Sequence, residues 1–512
     1  MFSFSFVAFN LEFFFLLGLM VLILFIMGKG INEKLKFFLT FYSRENFLFC
    51  LNKQVSGFLF FLFSILVLLM VALFDKRFFF FDVTFFSDNF ILLAKFVTLL
   101  SASFVLLFSN VYLKFENILK SFEYFLLLSL SLVGMFFLIS SNDFLSLYIS
   151  IEFQSLALYV LASFKQNSLF SIEAGLKYFI LGTFSSGLLL FGASLIYGFT
   201  GIMNFNELDM LFQFNNIFKD DFMFKLGLLF FFSSLMFKFT AAPFHMWAPD
   251  VYHGSPTIMT FFFSMTPKIV FLALFIRLIF GTFSAFEIYF KFIFFLCGFM
   301  SLLLGALASV YQIKLKRLLA YSSISNVGYI LMALSCAQIE AFMSSFLYFF
   351  VYIFTVAGLF SLILSLRYYN NDLKLKNIFE LMGVLNFNFL FALFFVLNLF
   401  SLLGLPPLSG FFAKFYLFFN AIGSEFFFFV YLSILASIFS TVIYLRMVRL
   451  VLFNKYNNVF FYRPLNSIFT VLISILISFN FFFFYYINEL FKFIYAFVLN
   501  FLKVNMVFSF FF

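Results

Sequence analysis

Five ionisable residues stand where a sequence rarely tolerates them. Glu152, Lys177, Lys238, Lys268 and Lys414 each lie inside an apolar run of this 512-residue chain. A charge at the centre of a membrane helix costs about 2.5–3.5 kcal/mol on insertion scales, so five of them call for internal partners. Lysine can be charged or neutral. Burial favours the neutral form, and a nearby carboxylate restores the charged one. A lysine that alternates between paired and unpaired states therefore binds and releases a proton, which arginine cannot do because it does not deprotonate in proteins. Glu152 is the mid-helix carboxylate of the set and the natural partner for a lysine. A row of lysines at similar depth can pass protons along the membrane plane through water and hydroxyls. His245, one of two histidines, can relay protons near neutral pH.

Each residue also has a plainer reading. Lys177 is near enough to a helix end to snorkel. Lys238 and Lys268 are too deep for easy snorkelling, which leaves a structural ion site as their alternative. Lys414 follows a helix break whose carbonyls can hold it. Glu152 can be one member of a structural ion pair, and His245 can cap a broken helix. Haem would require histidines on facing helices, and His245 and His253 merely flank Pro249. Cys50, Cys297 and Cys336 are far apart with no C-x-x-C among them, so neither zinc nor an iron–sulfur cluster is expected. No Gly-rich nucleotide loop stands between a strand and a helix.

The elements that hold these residues follow from composition. The chain is 65% hydrophobic and 10% charged, against about 25% charged in a soluble domain. So few charges cannot cover a water-facing surface, which excludes soluble globular and disordered chains. Repeated apolar runs of about 20 residues instead span a bilayer as helices. The 106 Phe against one Trp reads as drift toward T-rich codons, hence an organelle genome. The N-terminus shows no basic region before its apolar run, so no cleaved signal or Arg-rich presequence is expected. The net charge of +9 is the loop excess of a membrane protein and does not imply nucleic acid.

An all-α polytopic protein of about fourteen spans is expected. The spans run near 11–27, 57–74, 90–112, 122–141, 143–164, 174–199, 222–248, 255–281, 287–311, 317–337, 340–367, 384–421, 426–453 and 465–487. An aromatic tail from Glu489 to Phe512 is read as interfacial. Loops after odd-numbered spans are basic, as in Lys29, Lys34, Lys36, Arg44 and Lys53, or Lys314, Lys316 and Arg317. Loops after even-numbered spans lean acidic, as in Glu207, Asp209, Asp220 and Asp221. This alternation places odd loops in the matrix or cytoplasm. The seventh loop is an exception, with Asp250 and no Lys or Arg. Two spans are interrupted, one by Pro243 and Pro249 and one by Pro406 and Pro407. Proline removes a helix hydrogen bond, and freed backbone groups are tolerated at depth only inside protein or beside water. Paired broken helices point to an internal repeat with an ion path at its interface.

Four motifs carry a resemblance. One runs from Asn142 to Phe205 and holds Glu152 and Lys177. Another is Phe237-Lys238-Phe239-Thr240-Ala241-Ala242-Pro243-Phe244-His245-Met246-Trp247. The others are Lys316-Arg317-Leu318-Leu319-Ala320-Tyr321-Ser322-Ser323 with its continuation to Tyr329, and Gly404-Leu405-Pro406-Pro407-Leu408-Ser409-Gly410 with its continuation to Phe415. From about residue 122 to 450 the chain resembles the subunit 2 family of the proton-pumping NADH:ubiquinone oxidoreductase, respiratory complex I. The resemblance is weak over the first 120 residues and the tail. It implies an antiporter-like fold of two inverted five-helix repeats, each with a broken helix. On that plan 1–121 are N-terminal helices, 122–281 the first repeat broken near Pro243, 282–453 the second broken near Pro406, and 454–512 a final helix and tail. It also implies that Glu152 and Lys238 pair, that Lys268 is the central lysine, that Lys414 ends the channel toward the next subunit, and that Lys177 matches a further family lysine. Bacterial relatives often carry His at the position of Asn326, so a relay there is lost. The larger antiporter-like subunits typically have histidine motifs where this chain has Ser264-Met265-Thr266-Pro267-Lys268, which favours subunit 2.

The leading expectation is thus a proton-translocating subunit of a mitochondrial inner-membrane enzyme. No cofactor is expected on this chain. The resemblance implies NADH, FMN, iron–sulfur clusters and ubiquinone on partner subunits. Partners would be other membrane-arm subunits, including neighbouring antiporter-like ones, and lipids such as cardiolipin, but not nucleic acid. The runner-up is a cation/proton antiporter subunit of an Mrp-like complex. A scaffold with dead channels and a quinone-binding subunit are the remaining readings, the latter weakened because codon drift explains the aromatics.

Overall fold

The computed structural model describes residues 10–36, 44–74, 78–80, 83–115, 121–214, 221–367, 375–453 and 467–508. Its helices, in chain order, are α1 Asn10–Lys36, α2 Arg44–Ala72, α3 Asn89–Phe115, α4 Ser121–Ser140, α5 Phe144–Ala162, α6 Leu169–Thr200, α7 Phe205–Phe214, α8 Phe222–Phe239, α9 Trp247–Gly254, α10 Thr257–Phe280, α11 Glu287–Val310, α12 Leu315–Cys336, α13 Ile339–Ser365, α14 Val384–Phe387, α15 Phe389–Leu403, α16 Ser409–Gly423, α17 Phe427–Leu452 and α18 Ser467–Phe508. Helices prevail because a chain this apolar must satisfy its backbone without water, and a helix does so within each segment. Among the described residues twelve helices are long and apolar enough to cross a bilayer. Leu11–Leu24 and Phe389–Leu403 are shorter apolar stretches beside them. α10 is buried along its membrane length and forms the centre of the bundle. Helices such as α6 and α18 present exposed Leu, Ile and Phe to the surroundings.

Three features depart from the sequence expectation. An antiparallel hairpin, β1 Phe78–Phe80 with β2 Phe85–Ser87, interrupts the all-α pattern. Helix α7 occupies the acidic sixth loop. The last span does not stop at 487: α18 continues as one helix to Phe508, since no Pro or Gly interrupts it. At about 1.5 Å per residue, its 42 residues exceed what a bilayer of about 30 Å needs.

Bridges between loops sort them by side. Phe85 pairs with Ser141 and Asp143 with Asn204, so the second, fourth and sixth loops meet at one end. Lys314 pairs with Asn377, joining the ninth and eleventh loops. The parity matches the alternation of loop charge. The exception at Asp250 is also accounted for, because its carboxylate takes Arg317 at 2.9 Å and Lys177 at 3.2 Å from other elements.

Candidate proton-transfer site

The first break begins where α8 ends. Thr240 adopts a left-handed conformation, with φ of 65°, and closes the helix. At the interruption the Phe237 carbonyl accepts from the Thr240 N–H at 3.1 Å and from the Trp247 indole at 3.0 Å. Lys238, one turn before the break and 7% exposed, is thereby free to point elsewhere. Its Nζ donates to the Tyr159 hydroxyl at 3.1 Å and lies over that ring. Tyr159 is held edge-on by Tyr178, which stacks on Trp247. A methyl group at Gly182 would come within 2.0 Å of the Tyr159 hydroxyl, so glycine makes the room this phenol occupies.

The expected direct contact between Glu152 and Lys238 is not made. Both belong to one site, but hydroxyls stand between them. On α5, Glu152, Ser155 and Tyr159 lie at i, i+3 and i+7, hence on one face. The Ser155 hydroxyl donates to the Glu152 backbone carbonyl at 3.1 Å and lies 3.5 Å from Glu152 Oε2, on the same helix face as the Tyr159 phenol that takes Lys238. Glu152 is half-buried, and its Oε1 has no hydrogen-bond partner.

Lys238 and Lys268 line one cavity of about 20 Å³, together with Ser155, Gln154 and Thr240. That is room for about one water molecule. Gln154 Oε1 and Thr240 Oγ1 are buried there without partners. Lys268, 1% exposed, sits mid-way along α10 directly after Pro267. The proline has no N–H for the carbonyl four residues earlier, and Tyr252 donates its hydroxyl to that Phe263 carbonyl at 3.0 Å. Lys268 reaches across to the Ser323 carbonyl on α12 at 3.4 Å. One turn further along α12, Asn326 accepts from the Tyr348 hydroxyl at 2.9 Å. Asn326, Tyr348 and Tyr352 line a second cavity of about 20 Å³ with Lys414. Asn326 does not titrate, yet it stands between the central and terminal lysines.

The second break is built differently. Gly404, with φ of 85°, ends α15 and α16 begins at Ser409. A methyl group at Gly410 would sit 1.8 Å from the Ser401 carbonyl, so only glycine allows the two half-helices to approach. Lys414 itself takes the freed carbonyls, donating to Leu402 at 3.1 Å and Leu403 at 2.8 Å, with its ammonium over Tyr329. Ser409, Asn480 and Asn398 form a buried polar chain that fastens α18 to this break.

Two expected site residues lie apart from the row. The Lys177 side chain is 44% exposed and pairs with Glu173 at 2.8 Å and with Asp250. It lies only about two turns into α6, within snorkelling reach of the loop side. His245 is buried in the break. Its Nδ1 has no partner, and it lines neither lysine cavity. The sequence reading also missed a buried ion pair between Lys95 on α3 and Glu12 on α1, joined by the Ser140 hydroxyl. Lys95 inside an apolar run was a legible signal, whereas Glu12 was obscured by its place at a helix start. Among the described residues no three His, Cys, Asp or Glu side chains gather as metal ligands.

The transmembrane family described as NADH:quinone oxidoreductase/Mrp antiporter matches residues 141–440. NADH-ubiquinone oxidoreductase chain 2 of Marchantia polymorpha is 42% identical over 379 residues, which is 72% of this chain and 75% of that protein. A chain of respiratory complex I from Thermus thermophilus superposes with a TM-score of 0.69 at 26% identity, covering 84% of this chain and 92% of its own. A chain of the Mrp complex from a Dietzia species gives 0.78 at 17% identity, covering 96% and 97%, a likeness of fold alone.

Proposed function

The chain belongs to the NADH:quinone oxidoreductase/Mrp antiporter transmembrane family, and from that premise we propose that Glu152, Lys238, Lys268 and Lys414 carry protons through it. It is a proton-translocating membrane-arm subunit of NADH:ubiquinone oxidoreductase. The observation that supports this assignment of residues is the shared cavity, in which the Lys238 and Lys268 side chains meet with space for a water. A proton leaving Lys238 crosses that water to Lys268. Lys238 is then recharged from Glu152 through Ser155 and Tyr159. From Lys268 the proton passes between α12 and α13, by Ser323, Asn326 and Tyr348, to Lys414. Lys177 and His245 take supporting parts, the first as a surface clasp on Asp250 and the second as a cap of the break.

Moving one charge against 100 mV costs about 2.3 kcal/mol, so partner subunits must supply the energy. On this reading NADH, FMN, iron–sulfur clusters and ubiquinone bind those partners and none binds here. The chain is a multi-pass protein of the mitochondrial inner membrane. It contacts neighbouring antiporter-like subunits and lipids such as cardiolipin, with no nucleic-acid role. Residues 122–281 and 282–453 are its two inverted repeats. The test is proton pumping per electron in an assembled complex carrying Lys268→Met. The ratio should fall while NADH-to-quinone electron transfer persists or slows with it. A parental ratio would leave the lysines as structural ions. Sodium rather than proton flux through the purified complex would favour the Mrp-like reading.

A further inference from the structure

Away from the lysine row, the odd-side loops enclose a cavity of about 490 Å³. Its wall draws Lys165 from the fifth loop, His253 from the end of α9, Lys314 and Lys316 from the ninth loop, and Lys376 from the eleventh. Four lysines thus converge from three loops. Among the described residues, the carboxylates of Asp250 and Glu380 on the neighbouring elements are both engaged. Asp250 binds Arg317 and Lys177, and Glu380 accepts from the Lys376 backbone N–H at 2.7 Å. Lys316 is anchored by donating to the Ser255 carbonyl at 2.6 Å. Thr257, the first residue of α10, brings the positive end of a 24-residue helix to the same wall. Buried hydroxyls of Ser255 and Thr257 have no hydrogen-bond partner. The positive potential is felt at His253, which burial, then Lys314, Arg317 and Lys316, push down to about 4. Its imidazole is therefore neutral at pH 7, and the charge of the cavity is that of its lysines.

We infer that this cavity binds a phosphate anion, presented as the headgroup of an anionic phospholipid. Lysines, unpaired hydroxyls and a helix N-terminus are the groups that hold phosphate. The elements that supply them carry exposed apolar residues next to the charged ones. Leu169 and Phe170 are 84% and 64% exposed, and Tyr311 and Ile313 are 83% and 50% exposed. Aromatic and apolar side chains beside lysines at the end of a transmembrane helix mark the headgroup level of a bilayer. A free phosphate would use the lysines and ignore these residues, whereas a phospholipid uses both. The inference gives a location to the lipid partner proposed above, and it stands whether or not the lysine row moves protons.

The test is cross-linking of photoreactive phosphatidylglycerol to the delipidated, assembled complex, mapped to peptides containing Lys165, Phe170 or Lys314. Lys314→Gln with Lys376→Gln should raise the half-saturating lipid concentration about thirtyfold, since each lysine near an anionic surface contributes roughly a factor of five. Lys314→Arg with Lys376→Arg should bind as the parent does, and both variants should pump at the parental ratio. A phosphatidylcholine analogue should label these peptides weakly in every case. Millimolar inorganic phosphate should compete only weakly, because the acyl chains also take part; full competition would mean that the site takes free phosphate and would overturn the phospholipid assignment. Labelling of the Gln variant equal to that of the parent would overturn it, as would be found if an acidic segment of a neighbouring subunit filled the cavity. Such a failure with pumping intact would leave the proposed proton path untouched.

Discussion

The two helix breaks solve one problem in two ways. At the first, the Thr240 N–H and the Trp247 indole close the Phe237 carbonyl, so Lys238 is not needed to close the backbone and bonds a phenol instead. At the second, Lys414 is itself the group that closes the backbone, with bonds to Leu402 and Leu403. A lysine with a side-chain partner can change that partner without disturbing its helix. A lysine bound to carbonyls is tied to the fold. On the proposed proton path, Lys238 would therefore act as the switch and Lys414 as the fixed end-point.

The largest difference should come from deleting each charge. Lys414→Met leaves buried carbonyls unsatisfied, at about 1–3 kcal/mol each, and should lower the thermal stability or yield of the assembled complex as well as its pumping. Lys238→Met should lower pumping with much less loss of stability, because Trp247 still caps. Equal destabilisation by the two would break the comparison. A smaller effect is expected from Tyr159→Phe. It removes the hydroxyl that accepts from Lys238, and a hydrogen bond to a charged group is worth about 1.5–3 kcal/mol. Proton transfer should slow about tenfold or more, while Tyr329→Phe, which keeps the ring over Lys414, should change little.

The two close-packed glycines sharpen the same contrast. Gly410→Ala meets a backbone carbonyl and Gly182→Ala meets only the end of a tyrosine. Over-packing of this kind costs about 1–3 kcal/mol where neighbours cannot move. Gly410→Ala should therefore reduce assembly, and Gly182→Ala should reduce pumping with the fold kept. The smallest effect belongs to Asp250→Asn. Its partners Lys177 and Arg317 are more than one third exposed, where ion pairs contribute little. Pumping at physiological salt should stay near the parental value.

Much of this was legible in the residues alone. Apolar runs, loop charge and the prolines located the spans and both breaks, because the bilayer imposes length and polarity on a sequence directly. Lys238, Lys268 and Lys414 stood out for the same reason. What the sequence did not reveal were the groups between them. Ser155, Tyr159 and Tyr348 are unremarkable in type, and many similar residues lie elsewhere in the chain. Only packing shows which hydroxyls face a lysine. Lys177 misled because depth was read from its place in an apolar run rather than from its distance to the helix end. The tail was read as separate because its composition resembled an interface, whereas a helix without a breaker simply continues.

The central claim is that Lys238 works by exchanging a proton and not by carrying a fixed charge. Its most direct test is the number of protons pumped per electron in an assembled complex carrying Lys238→Arg. Arginine keeps the positive charge opposite Glu152 and the hydrogen bond to Tyr159 within reach, but it does not release its proton. The account expects the complex to assemble normally and the ratio to fall. Pumping at the parental ratio would contradict it and leave Lys238 as a structural cation beside the first break.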